Sequence, residues 1–131
     1  MEKLINLTDK EVYTHVYHLV LEAAEFFSRL SPNIPKALIR VTQSIHGDLN
    51  DIAIELGEAS KKVSAEEKLK HLDIAIDGLF NLHAEFEYLV RTKALTVKGA
   101  NEVLIRIKQA YEESKKWKNS IHRSVISSIE R

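Results

Sequence analysis

A glutamate and a histidine four residues apart can touch on one helix face, as Glu11 and His15 or His83 and Glu87 would. A di-metal carboxylate site in a helical bundle asks for more. It needs Glu-x-x-His on two helices and an inward glutamate on each of the other two. No glutamate here has a histidine at the third residue after it. Glu11 belongs to a capping box and Glu87 lies off the apolar stripe of its helix, so no metal site is expected. His83 falls within that stripe and is expected to be a core histidine bonded to a polar neighbour such as Ser114. Asp48, Asp51, Glu55 and Glu58 share the polar side of one helix. Carboxylates do acid–base work only where a cleft shifts their pKa values. A continuous bundle offers no such cleft, so this set is expected to be a solvated face or to meet the basic helix of another subunit. There is no glycine-rich phosphate loop, no G-x-S-x-G elbow and no cysteine. The expectation is a protein that is not an enzyme and carries no cofactor.

The remaining chemistry is cationic. The stretch SKKWKNSIHR, residues 114–123, holds four cations and no acid in a chain of formal net charge zero. Residues 1–90 carry nine Lys/Arg against fifteen Asp/Glu, and residues 91–131 carry ten against four, so the two parts stand at −6 and +6. Such asymmetry marks an element that faces a partner, or one that neutralises an acidic neighbour. Lys98, Arg106, Lys108, Lys115, Lys116, Lys118 and Arg123 supply charge of the kind that binds phosphates by releasing counterions. Trp117 could stack on a base, but its place in an apolar seam makes it core or interface. The overall pI near 7.0 lacks the global basicity of most nucleic-acid binders.

Four helical segments must position these residues. Two prolines and four glycines in 131 residues favour long uninterrupted elements. The first helix, about 8–31, has the stripe Val12, Val16, Leu19, Ala23, Phe26 and Leu30, and opens on a capping box from Thr8 to Glu11. SPNIP ends it, and Pro35 opens the second helix, about 35–60, with Leu38, Val41, Ile45, Leu49, Ile52 and Leu56 facing inward. Gly47 and Gly57 within it suggest close approach of a neighbouring helix. Ser64 begins a second capping box for the third helix, about 64–91, with Leu69, Leu72, Ile76, Leu79, His83, Phe86 and Val90 in its seam. Phe80, Leu82 and Leu89 widen that face. The fourth helix, about 96–128, opens on Thr96 and places Val103, Ile107, Ala110, Ser114, Trp117, Ile121 and Ser124 in one seam. At 1.5 Å per residue it spans roughly 48 Å, longer than the others, and should overhang with Val125, Ile126 and Ile129 at its tip. The MEKLINL segment or another chain could cover that tip. Connections of three to six residues force an antiparallel up-down-up-down four-helix bundle, an all-α fold in a single domain over residues 1–131. No apolar run approaches the roughly 20 residues a membrane span needs. The start shows no signal-peptide pattern, and the lack of cysteine fits a reducing, cytoplasmic setting.

Three stretches carry a resemblance: NIPKALIRVTQSIHGDLNDIAIEL, KLKHLDIAIDGLFNLHAEFEYLV and ALTVKGANEVLIRIKQAYEESKKWKNS. The Ile-Pro-Lys opening of helix two, the K-L-x-x-L-D-x-A register of helix three, the L-T-x-K start of helix four and the late tryptophan are its markers. Over roughly residues 10 to 120 the chain resembles the small four-helix-bundle proteins that include the accessory variability determinant of diversity-generating retroelements, relatives of the proteins encoded by ribosomal-RNA intervening sequences. The resemblance implies a barrel-like homopentamer and a non-enzymatic partner of a reverse transcriptase that binds RNA or RNA/DNA. It carries over Lys36, Arg40, Arg106, Lys115, Lys116 and Lys118 as the binding cations, beside Lys108 and Arg123 from the charge pattern. Accessory determinants look basic overall, whereas this chain is neutral and its second helix acidic. A protein-interaction scaffold whose basic helix docks on acidic surfaces is the other reading, and an enzyme or metal protein the third.

Overall fold

The computed structural model describes residues 9–130, with side chains to residue 129. Helix α1 runs Asp9–Leu30, α2 Ile39–Lys61, α3 Ala65–Arg91 and α4 Val97–Glu130. Each packs on the next in sequence, and α4 closes the ring against α1, giving an antiparallel four-helix bundle. The capping box that begins at Thr8 lies outside the described residues.

Each junction has a local cause. Ser31–Asn33 and Lys36–Leu38 form short 3₁₀ turns, with Ile34 buried between them. Pro35 adopts an extended backbone (φ −56°, ψ 143°) and its carbonyl accepts from the Leu38 amide, so α2 begins at Ile39 and not at the proline. Ser64 Oγ accepts from the Glu67 amide at 3.2 Å, as its capping box requires. Thr96 Oγ1 caps α4 by accepting from the Gly99 amide at 2.9 Å. The α3–α4 link turns through Lys93 at φ 65°, a left-handed position usually given to glycine. The amides of Ala94 and Leu95 then return to the Leu89 carbonyl.

The core is one continuous apolar cluster from all four helices. Phe27 and Phe86 meet edge to face at its centre, centroids 5.1 Å apart and rings at 89°. In α1 the inward residue is Phe27, while Phe26 is half-buried. A strict three-four alternation repeats every 3.5 residues, and the real helix turns every 3.6, so the stripe drifts by one position over its length. In α3 Leu82 and Leu89 are fully buried where the stripe pattern had placed His83 and Val90. The apolar face there is wide enough for the helix to rotate and bury leucine in place of imidazole. His83 is therefore only half-buried, 3.5 Å from Glu87. It cannot reach Ser114: Phe80 sits level with Tyr111 and Asp73 with Lys118, which puts Ser114 level with residue 77, about 9 Å along the axis from His83. The Ser114 hydroxyl is buried and has no hydrogen-bond partner among the described residues. In α4, Ser124 is exposed and the seam ends at Ile121.

The glycine expectation also changes. A Cβ on Gly47 would meet nothing, and one on Gly57 would meet Tyr13 Oη at an ordinary 3.6 Å. The close approach is at Gly78 on α3, where a Cβ would lie 2.8 Å from Ile52 Cγ1 of α2. The far end of the bundle is tied through Asp9. One of its carboxylate oxygens pairs with Lys68 at the start of α3, and the other accepts from Trp117 Nε1 of α4 at 3.2 Å. Beyond that tie α4 runs on, with Ile126 and Ile129 exposed.

Candidate nucleic-acid interface

The eight cations expected to bind phosphates do not form one surface. Lys36 and Arg40 are exposed at the α1–α2 end of the bundle. Helix α4 also begins at that end, so Lys115 lies about 27 Å further along the axis. Arg106 is turned inward on the α1 side. Its guanidinium lies over the Phe26 ring at 4.6 Å, bonds Glu102 at 2.8 Å and stands 3.5 Å from Glu22, without hydrogen-bond geometry at Nε. Lys118 bonds Asp73 at 2.7 Å and clamps α4 to α3. Lys116 pairs with Glu113 at 3.2 Å, an exposed contact of small energetic weight. Lys108, Lys115 and Arg123 are exposed and have no carboxylate partner among the described residues. Lys115 instead stands 5.3 Å from the Tyr111 ring.

Trp117 is only 3% exposed and its indole N–H is bonded to Asp9, so it offers no face to a base. The most exposed aromatic among the described residues is Phe80 of α3, 64% accessible, tilted against Tyr111 with centroids 6.3 Å apart. These two rings, with His83, Lys108 and Glu112, border a groove of about 280 Å3 between α3 and α4. The sequence signal was weak: both aromatics flank an apolar seam, and a flanking ring is buried or bare according to how its helix rotates.

Three of the four acids of the α2 set, Asp48, Glu55 and Glu58, are engaged within the chain, and Asp51 is exposed. Glu55 lies 2.6 Å from His71 Nδ1 of α3. Glu58 bonds Lys62 and faces Lys61, and the Lys62 hydrogen bond holds its carboxyl below the usual carboxylate range. Asp48 meets Glu85 of α3, a carboxylate outside that set. Burial, and then the hydrogen bond with Asp48, push Glu85 up to about 7, against the opposing hydrogen bond that Ser44 Oγ donates at 2.5 Å. A carboxyl poised near neutrality can move protons, yet neither described groove reaches this pair. Among the described residues no three His, Asp or Glu side chains gather as a metal site. No described helix is long and apolar enough to cross a membrane.

Comparison with protein-family models, with curated proteins and with solved structures gives no match.

Proposed function

We infer that this protein is a non-enzymatic nucleic-acid-binding bundle that works as a homo-oligomeric ring, in the manner of an accessory subunit to a reverse transcriptase, with RNA or RNA/DNA as its ligand. The observation that carries the nucleic-acid part is the outer surface of α4. Lys108, Lys115 and Arg123 stand exposed there with no carboxylate partner among the described residues; of the nearby acids Asp73 and Glu113 are matched to Lys118 and Lys116, and the exposed Glu112 offsets one of the three cations. Cations in excess of the unmatched acids retain their attraction for phosphate. The reverse-transcriptase role and the ring rest on the resemblance in the three helix stretches.

The test follows from which cations are free. Lys118→Glu would set two carboxylates together at Asp73 and damage the α3–α4 packing, so it reads stability as much as binding. The triple variant Lys108→Glu, Lys115→Glu, Arg123→Glu leaves the internal pairs intact. We expect wild-type protein to bind single-stranded RNA with an affinity that falls with salt at a log–log slope of about −2, for three phosphates. The triple variant should lose at least about tenfold of that affinity, with unchanged helical circular dichroism. Equal affinity in the variant removes the assignment.

A second reading has its own observation. Arg106 with Glu22 and Lys118 with Asp73 show α4 already docking on acidic helix faces inside the chain. A protein-interaction scaffold would extend that habit to other chains. It predicts oligomers that ignore polynucleotides at low ionic strength.

A further inference from the structure

The groove between α3 and α4 combines three features that a solvated helix flank does not need. Its floor is apolar, from Leu79 and Ile107. One wall is Phe80, a residue 64% exposed to water although its ring tilts against Tyr111. Its rim carries Lys108, and Lys115 stands beside the Tyr111 wall, neither with a carboxylate partner among the described residues. These lysines are seven residues apart on α4, about 10.5 Å, and bracket the aromatic pair.

We propose that Phe80 and Tyr111 form a seat for one unpaired nucleobase, with Lys108 and Lys115 holding the phosphates on either side of it. The proposal rests on the nucleic-acid reading above and says how the strand is gripped. The rings stand 6.3 Å apart at 45°. A base sandwiched between them would need parallel faces separated by about twice the ~3.4 Å rise of stacked bases. The base therefore stacks on the open face of Phe80 and abuts Tyr111 at its edge. Duplex bases have no free face to offer, so the ligand is single-stranded. Glu112 is the one carboxylate on the rim, and with two lysines the seat keeps a net charge of +1. Its oxygens can accept from the exocyclic amine of a cytosine or adenine. A second copy of the chain fits less well, because interface cores are depleted in lysine.

The test uses the full chain with two labelled octamers, oligo(rC) and the same backbone with abasic central residues, read by fluorescence anisotropy. Wild-type protein should bind oligo(rC) at least about tenfold more tightly than the abasic strand. Phe80→Leu changes an exposed side chain and should not unfold the bundle. It should lose about tenfold on oligo(rC), leave the abasic affinity unchanged and keep the salt slope. Equal wild-type affinity for the two strands, or undiminished discrimination in Phe80→Leu, overturns the seat while leaving phosphate binding by α4 in place. No binding of either strand by wild type overturns both. If Phe80→Leu instead lowers the mass of the assembly and leaves discrimination as it was, the groove is a subunit contact and the proposal is wrong.

Discussion

At the scale of single residues, Glu85 makes the stability of the fold depend on pH. Its folded-state pKa near 7 lies above the ordinary carboxyl value of 4.5, so the folded chain holds a proton that the unfolded chain releases. The stabilisation from that proton is full below about pH 4.5. It declines as pH rises towards 7 and is absent above it. Facing Glu85 from α2 are Ser44 and Asp48, and no cation is paired with it among the described residues. Glu85→Gln should leave the thermal midpoint at pH 5 nearly unchanged and raise it at pH 8. The gain is about 1 kcal/mol, or ~3–5 °C for a chain of this size, because solvent screens much of the full shift. A midpoint that drops at pH 8 would contradict the shared-proton account. Residue types were readable in advance where a contact is local: Ser64 and Thr96 announced caps from their own positions. Glu85 with Asp48 and Lys118 with Asp73 were not, because those partners lie on different helices and depend on register and rotation.

At the scale of elements, the two central glycines of α2 and α3 invite opposite substitutions. Gly47 faces open space in a helix interior, so Gly47→Ala should stabilise the protein by about 0.5–1 kcal/mol in chemical denaturation. Gly78→Ala gains the same helix preference but drives its methyl into Ile52, a stiff β-branched side chain only 3% exposed. Overpacking of this kind costs about 1–3 kcal/mol, so the net change should be destabilising. The signs distinguish a spacer from a contact, and two stabilising substitutions would show that α2 and α3 sit further apart. The four helices themselves were legible because each carries a long stripe. The stripe of α4 is buried at Val103, Ile107, Ala110, Ser114, Trp117 and Ile121, as its spacing required. The facing of α3 was less legible: its broad apolar face allowed two rotations, and burial of Leu82 and Leu89 selected one.

At the scale of the whole molecule, the bundle satisfies its core within one chain, yet leaves apolar side chains outside. Leu21 on α1, Ile54 on α2, Ile74 and Tyr88 on α3, and Ile105 on α4 are each about half exposed, so all four helices carry apolar side chains on their outer faces. Assembly of several copies would cover them. Sedimentation should then give a mass that is a multiple of 15.0 kDa. A single 15.0 kDa species at every concentration would leave the ring without support and keep only the monomer's α4 surface in play. The sequence carried the architecture this far because amphipathic periodicity determines how helices associate within a chain. Association between chains depends on where outer side chains converge in space, which periodicity does not encode.

The tie between Asp9 and Trp117 has a practical corollary. The chain has one tryptophan, and it sits where the first turn of α1, the start of α3 and the lower part of α4 converge. Its emission is therefore an optical gauge of that end alone, blind to events at the α1–α2 turn. A red shift ahead of the loss of helical signal would mean that α1 peels away first, while the other rods still hold together.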